Sequence, residues 1–154
     1  CRLGVDMLTI HASGGGKMIA AAADAVAQHA GKKPLLLAVT VLTSFDADEL
    51  AGIGVARELP AQVTHLAKLA HANGATGIVC SAHEAHHLRQ VLPASTALVT
   101  PGIRMPGDAH GDQARVMSPK EAMQAGATHL VMGRPITQAE NPAAALNLVL
   151  NSLT

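Results

Sequence analysis

The strongest constraint on this chain is a rhythm. Strand-length apolar runs, each followed by a helical segment, recur five times along it. Met7 to Ala12 reads as the first strand, followed by a Ser-Gly-Gly-Gly turn (13–16) and an Ala-rich helical stretch from Lys17 to Ala30. Pro34 to Ser44 is a second strand, apolar nearly throughout. The segment Asp46 to Val55 is polar with two glycines, and Pro60 to Ala72 reads as a helix. Ala75 to Ala82 is a third strand, His83 to Leu92 a helix, and Ala97 to Thr100 a fourth strand ending in Pro101-Gly102. Continuous apolar runs suit parallel strands buried on both faces. Units in this order predict a parallel sheet with right-handed crossovers.

Beyond the fourth strand, Ile103 to Val116 is long, polar and glycine-bearing, so it reads as a functional loop or lid. Ser118-Pro119-Lys120-Glu121 is a helix start, with Ser as N-cap, Pro at the first helical position and Glu closing a capping box. That helix stops at Gly126. His129 to Met132 is the fifth strand, Gly133-Arg134-Pro135 the turn after it, and Asn141-Pro142 opens a last helix to Leu153. The 154 residues suit one domain. An eight-unit barrel takes about 250 residues, so five units could also form an open doubly wound sheet. Periodicity leaves that choice open. In both architectures the strand C-termini form the active face, and Thr43-Ser44, Ser81, Thr100-Pro101-Gly102 and Gly133-Arg134 all follow apolar runs there.

Composition removes several functions. Eleven basic and eleven acidic residues cancel, so no broad field recruits nucleic acid or an anionic membrane. One Phe, no Tyr and no Trp leave no platform for stacking bases. No apolar run is long enough to span a bilayer, and Cys1 and Cys80 make no disulfide framework. A cytosolic protein with a reduced, buried Cys80 is expected. The chain does not begin with Met, which suggests a missing upstream segment.

Several constellations carry chemistry. Gly133-Arg134 offers backbone N–H groups and a guanidinium to an anion, as phosphate sites after the last strands of a barrel do. The plain alternative is a surface Arg on an ordinary turn. Arg104 and Gln113 on the preceding loop favour the ligand reading, because they can converge on the same anion. His11-Ala12-Ser13-Gly14-Gly15-Gly16-Lys17 fails the phosphate-loop pattern at both ends, and reads as a tight turn with Ser13 near the helix cap and His11 hydrogen-bonded in the sheet. His83-Glu84-Ala85-His86-His87 matches H-E-x-x-H, but nine histidines make chance matches easy, and a solvated helix face explains the run. No dinucleotide fingerprint or nucleophile elbow occurs.

Taken together, VDMLTIHASGGGKM (5–18), PLLLAVTVLTS (34–44), GIVCSAHEA (77–85), LVTPGIR (98–104), GDQ (111–113) and VMGRPIT (131–137) resemble the orotidine 5′-phosphate decarboxylase family of the bacterial type. The resemblance runs through essentially the whole chain in the family's order. It implies a (β/α)8 TIM barrel, of which residues 1–154 supply strands four to eight as the C-terminal part of one domain. It also implies a substrate half-site. Thr43 matches the hydroxyl that contacts the pyrimidine ring, Arg104 a substrate-binding position, and Gln113 the amide bridging phosphate and pyrimidine. Gly133 and Arg134 match the phosphate grip.

The departure is as informative. The family's catalytic centre is an Asp-x-Lys-x-x-Asp motif, with one Asp serving the partner subunit. No Asp-x-Lys occurs here, so no catalytic residue is assigned to this chain. The implied reaction converts orotidine 5′-monophosphate to uridine 5′-monophosphate and CO2 in a cytoplasmic homodimer, without cofactor or metal. The competing readings are another sugar-phosphate barrel enzyme (a pentose-phosphate epimerase or hexulose-phosphate synthase) and a non-catalytic nucleotide-binding fragment.

Overall fold

Five strands pair in parallel in the order β1-β2-β3-β4-β5: β1 (Met7–His11), β2 (Leu35–Val39), β3 (Gly77–Val79), β4 (Ala97–Thr100) and β5 (His129–Leu130). The computed structural model describes residues 1–108 and 115–153. Parallel neighbours need a crossover between each pair, which α1 (Gly16–Ala27), α2 (Ala47–Gly52) with α3 (Leu59–Ala72), α4 (Ala82–Val91) and α5 (Pro119–Gln124) supply. After β5 come α6 (Arg134–Thr137) and α7 (Pro142–Asn151). A doubly wound sheet reverses its strand order at a switch point. Here the order never reverses, so crossovers of one hand stack the helices on one face, as in a barrel wall.

That face is the main core. Ala38, Ile78 and Leu98 pack there against Ile19 of α1, Val63 of α3 and Leu88 of α4. On the opposite face the register aligns Thr9, Leu37, Gly77 and Ala97 in one layer. His11, Val39, Val79, Val99 and His129 form the next. Gly77 is a packing requirement, since a Cβ there would lie 2.5 Å from Leu37 Cδ2 and 3.0 Å from the Ala97 Cβ. Layers of inward side chains are how a barrel interior is filled.

Local structure departs from the sequence reading in two places. β2 ends at Val39, and the rest of its apolar run carries Thr40 to Phe45 into a turn. The polar stretch 46–55 contains α2, because Asp46 Oδ1 accepts the Glu49 N–H at 2.9 Å and caps a helix there. The N-cap of α1 is Gly15, two residues after Ser13 in the expected tight turn, and its φ of +86° is one that glycine adopts without strain. Among the described residues, no strand pairs with the outer side of β1 or of β5. Large apolar groups stand exposed in the segments before β1 and after β5, Leu3 at 91% and Leu148 of α7 at 63% among them.

Candidate active site at the strand C-termini

After β2 the chain stays anchored to β3: the Thr40 N–H and Oγ1 both donate to the Val79 carbonyl, at 3.1 and 3.0 Å. It then turns, and the Phe45 N–H donates to the Leu42 carbonyl at 3.0 Å. Thr43 is the second residue of that turn and only 7% exposed. It lines a small cleft of about 50 Å³ with Val39, Val79, Cys80 and Pro101. After β4, Gly102 takes a φ of +75° and Ile103 pairs with Met117. Arg104 follows, 8% exposed, with its N–H on the Met117 carbonyl at 3.1 Å and its Nη1 on the Ile103 carbonyl at 2.9 Å.

After β5, Gly133 and Arg134 are exposed, and Gly133 is the N-cap residue of the four-residue helix α6 rather than part of a simple turn. A Cβ on Gly133 would meet nothing within 4 Å, so the space above it is open. Gln113 lies outside the described residues. The structure therefore brings Thr43, Arg104, Gly133 and Arg134 to the same end of one sheet. With neighbouring strands about 4.8 Å apart, the ends of β2 and β5 are separated by on the order of 10–15 Å. Of the loop expected from Ile103 to Val116, the described part includes a turn closed by the Met105 N–H on Asp108 Oδ2 at 2.9 Å.

Glu84, read from the sequence as part of a solvated helix face, and Arg115, which sequence reasoning passed over, meet at this end of the sheet. Glu84 is not part of a solvated helix face. Its side chain is only 11% exposed and pairs with the Arg115 guanidinium, itself 15% exposed. Glu84 Oε2 also accepts the Ser81 N–H at 2.8 Å, completing a capping box at the start of α4. Arg115 Nη2 reaches further, donating to the Leu42 carbonyl at 3.0 Å. The spacing Ser81-x-x-Glu84 was the available signal, identical in form to Ser118-x-x-Glu121.

The three histidines of the H-E-x-x-H run are exposed, and His83 Nε2 lies 3.0 Å from the Val116 carbonyl. Among the described residues no three His, Cys, Asp or Glu side chains are grouped to hold a metal ion. His11 is exposed at the end of β1, in register with Val39, and among the described residues its ring makes no hydrogen bond within the sheet. Burial pushes the Cys80 thiol up to about 12, which leaves it protonated and unreactive at neutral pH.

Burial also raises the Glu84 carboxyl above its ordinary value. The Arg115 charge, the Ser81 amide and His83 oppose this and are outweighed. The folded state therefore holds this proton more tightly than the unfolded chain. The contribution of Glu84 to stability should fall as pH rises from the ordinary carboxylate range (about 4.3) through the raised folded value. Denaturant unfolding of the full-length protein and its Glu84→Gln variant across that range checks this. The stability difference should move in favour of the variant as pH rises, and a difference independent of pH would overturn it.

The sequence profile described as the orotidine 5′-phosphate decarboxylase / HUMPS family matches residues 1–149. The orotidine 5′-phosphate decarboxylase of Pseudoalteromonas translucida (strain TAC 125) is 52% identical over 152 residues, covering 99% of this chain and 65% of that protein. That of Legionella pneumophila (strain Corby) is 48% identical over 151 residues, covering 98% of this chain and 66% of that one. Among solved structures, the orotidine 5′-phosphate decarboxylase from Lactobacillus acidophilus superposes with a TM-score of 0.83 at 37% identity, covering 99% of this chain and 65% of its own. An uncharacterized conserved protein from Geobacillus kaustophilus gives a TM-score of 0.80 at 30% identity, with 99% of this chain and 66% of its own covered. The chain thus spans just under two-thirds of the length of these relatives.

Proposed function

The chain belongs to the orotidine 5′-phosphate decarboxylase / HUMPS family, and from that premise we propose that residues 1–154 are the nucleotide-binding part of a single barrel domain that converts orotidine 5′-monophosphate to uridine 5′-monophosphate and CO2 in pyrimidine biosynthesis. One observation carries the reading. A recessed hydroxyl (Thr43), a buried guanidinium (Arg104) and an open Gly133-Arg134 turn share the C-terminal end of one parallel sheet. Their spread suits a nucleoside monophosphate lying across the strand ends.

In this reading Arg134 and the Gly133 turn hold the phosphate, Gln113 bridges phosphate and pyrimidine, and Thr43 contacts the ring, with Arg104 on the substrate from β4. Phosphate contacts lie far from the bond that breaks. Their binding energy holds the site together while the ring carbanion forms. The carbanion itself needs a nearby ammonium, which stabilises and then protonates it. That group is assigned to the part of the barrel that the longer relatives have and residues 1–154 do not span. No helix among the described residues is long and apolar enough to cross a membrane. We place the enzyme in the cytoplasm as a homodimer with sites shared between subunits, following the family pattern.

Turnover of orotidine 5′-monophosphate by the purified full-length protein tests the function, and absence of turnover overturns it. Within an active enzyme, Arg134→Ala should lose about 2–5 kcal/mol of transition-state binding. An unchanged kcat/KM would remove Arg134 from the phosphate site.

A further inference from the structure

We infer that Arg115 and Glu84 form a positioning pair that sets the conformation of the Thr43 turn, so that they act on the pyrimidine end of the site without touching the substrate. The inference rests on the function proposed above for Thr43, and on contacts that stand whatever the reaction is. The Leu42 carbonyl belongs to the same peptide group as the Thr43 N–H. That oxygen accepts two donors, the Phe45 N–H at 3.0 Å and Arg115 Nη2 at 3.0 Å. The guanidinium therefore holds the peptide plane from which the Thr43 side chain projects. The Val41 carbonyl, one residue earlier, lies 3.5 Å from the same nitrogen.

Arg115 is in turn held by α4. Its Nη1 pairs with Glu84 Oε1, while the other Glu84 oxygen is fixed by the Ser81 N–H at 2.8 Å. The next residue, Val116, meets His83 Nε2 through its carbonyl at 3.0 Å. Met117 is tied to the β4 end through the Gly102 carbonyl and the Arg104 N–H. The segments after β2 and β3 thus meet at one guanidinium, and the backbone two residues beyond it is tied to the end of β4. Burial of the guanidinium makes each charge-assisted bond stronger than it would be in water. Such a clamp fixes a side chain to within a fraction of an ångström, and misplacement by about 1 Å costs on the order of a hundredfold in rate.

The test uses the full-length protein carrying Glu84→Gln/Arg115→Met. The double variant keeps an acceptor for the Ser81 N–H and leaves no unpaired buried charge, so it avoids the stability loss expected of Arg115→Met alone. Hydrogen exchange of the segment 42–46 reads the clamp directly. The Phe45 amide should exchange faster in the double variant than in the wild type, and equal protection would overturn the inference. Turnover reads the consequence. kcat/KM for orotidine 5′-monophosphate should fall by about ten- to a hundredfold, but by less than about threefold when the pair is removed from a Thr43→Ala background. Equal losses in both backgrounds would show that the pair acts as general scaffolding, not through Thr43. A wild type without turnover, but with the expected exchange difference, would overturn the proposed function and leave the clamp standing.

Discussion

A polypeptide of residues 1–154 alone is expected to leave orotidine 5′-monophosphate untouched at any enzymatic rate, a loss of at least about 10⁶-fold against the complete barrel. The reaction needs an ammonium beside the ring carbon that loses CO2, and the chain carries no Asp-x-Lys. Its own lysines are poorly placed. Lys17 and Lys120 lie at the active-face end of the fold, but both are exposed on the outer helices α1 and α5. Lys68 is exposed on α3, and Lys32 and Lys33 precede β2 at the opposite end of the sheet. Two open edges and exposed apolar groups such as Leu3, Leu8, Leu148 and Leu150 should also make the isolated piece aggregate. Adding a second chain that carries the three remaining βα units should restore both solubility and turnover. The assay is turnover by purified 1–154, with intact mass excluding a longer species. Activity within about tenfold of the complete enzyme, a barrier difference of about 1.4 kcal/mol, would mean that one of these lysines serves as the proton donor.

The second large effect is on stability. Arg115→Met in the full-length protein should cost about 3 kcal/mol and lower Tm by on the order of 10 °C, because it strands the Glu84 carboxylate in a buried site. Small residual exposure of both side chains, 11% and 15%, places the figure at the low end of the range for broken buried pairs. Glu84→Gln/Arg115→Met should recover most of the loss, since a neutral pair incurs little of the desolvation that the ion pair does. Thermal and denaturant unfolding of the single and double variants decide it. A single variant as stable as the double would show that water reaches Glu84 and relieves its charge.

The order of elements was legible because each rests on neighbours in sequence. Ser118 and Glu121 form a capping box three residues apart, and the Asn141 side chain accepts the Ala144 N–H at 3.0 Å. α2 was missed because Asp46, its cap, stands before a short stretch interrupted by Gly52 and Gly54, which read as a loop. The candidate site was legible in part. Thr43, Gly133 and Arg134 follow apolar runs and Arg104 opens the loop after the fourth strand, and strand polarity carries them to one face.

By itself the sequence determined the βα rhythm, the parallel sheet and the end of that sheet where polar groups collect. All three follow from local periodicity and from which residues turn, cap or fill a strand. Periodicity left barrel and doubly wound sheet open; the barrel that the resemblance implied is borne out by a strand order that runs without reversal. Only the tertiary structure decided that Gly77 sits beneath Leu37, and that Arg115 reaches Glu84 31 residues away and the Leu42 carbonyl 73 residues away. The reason is physical. A cap or an apolar stripe is encoded within a few residues. A backbone carbonyl is the same acceptor at every position, and which guanidinium it meets is set by how the strands are laid side by side.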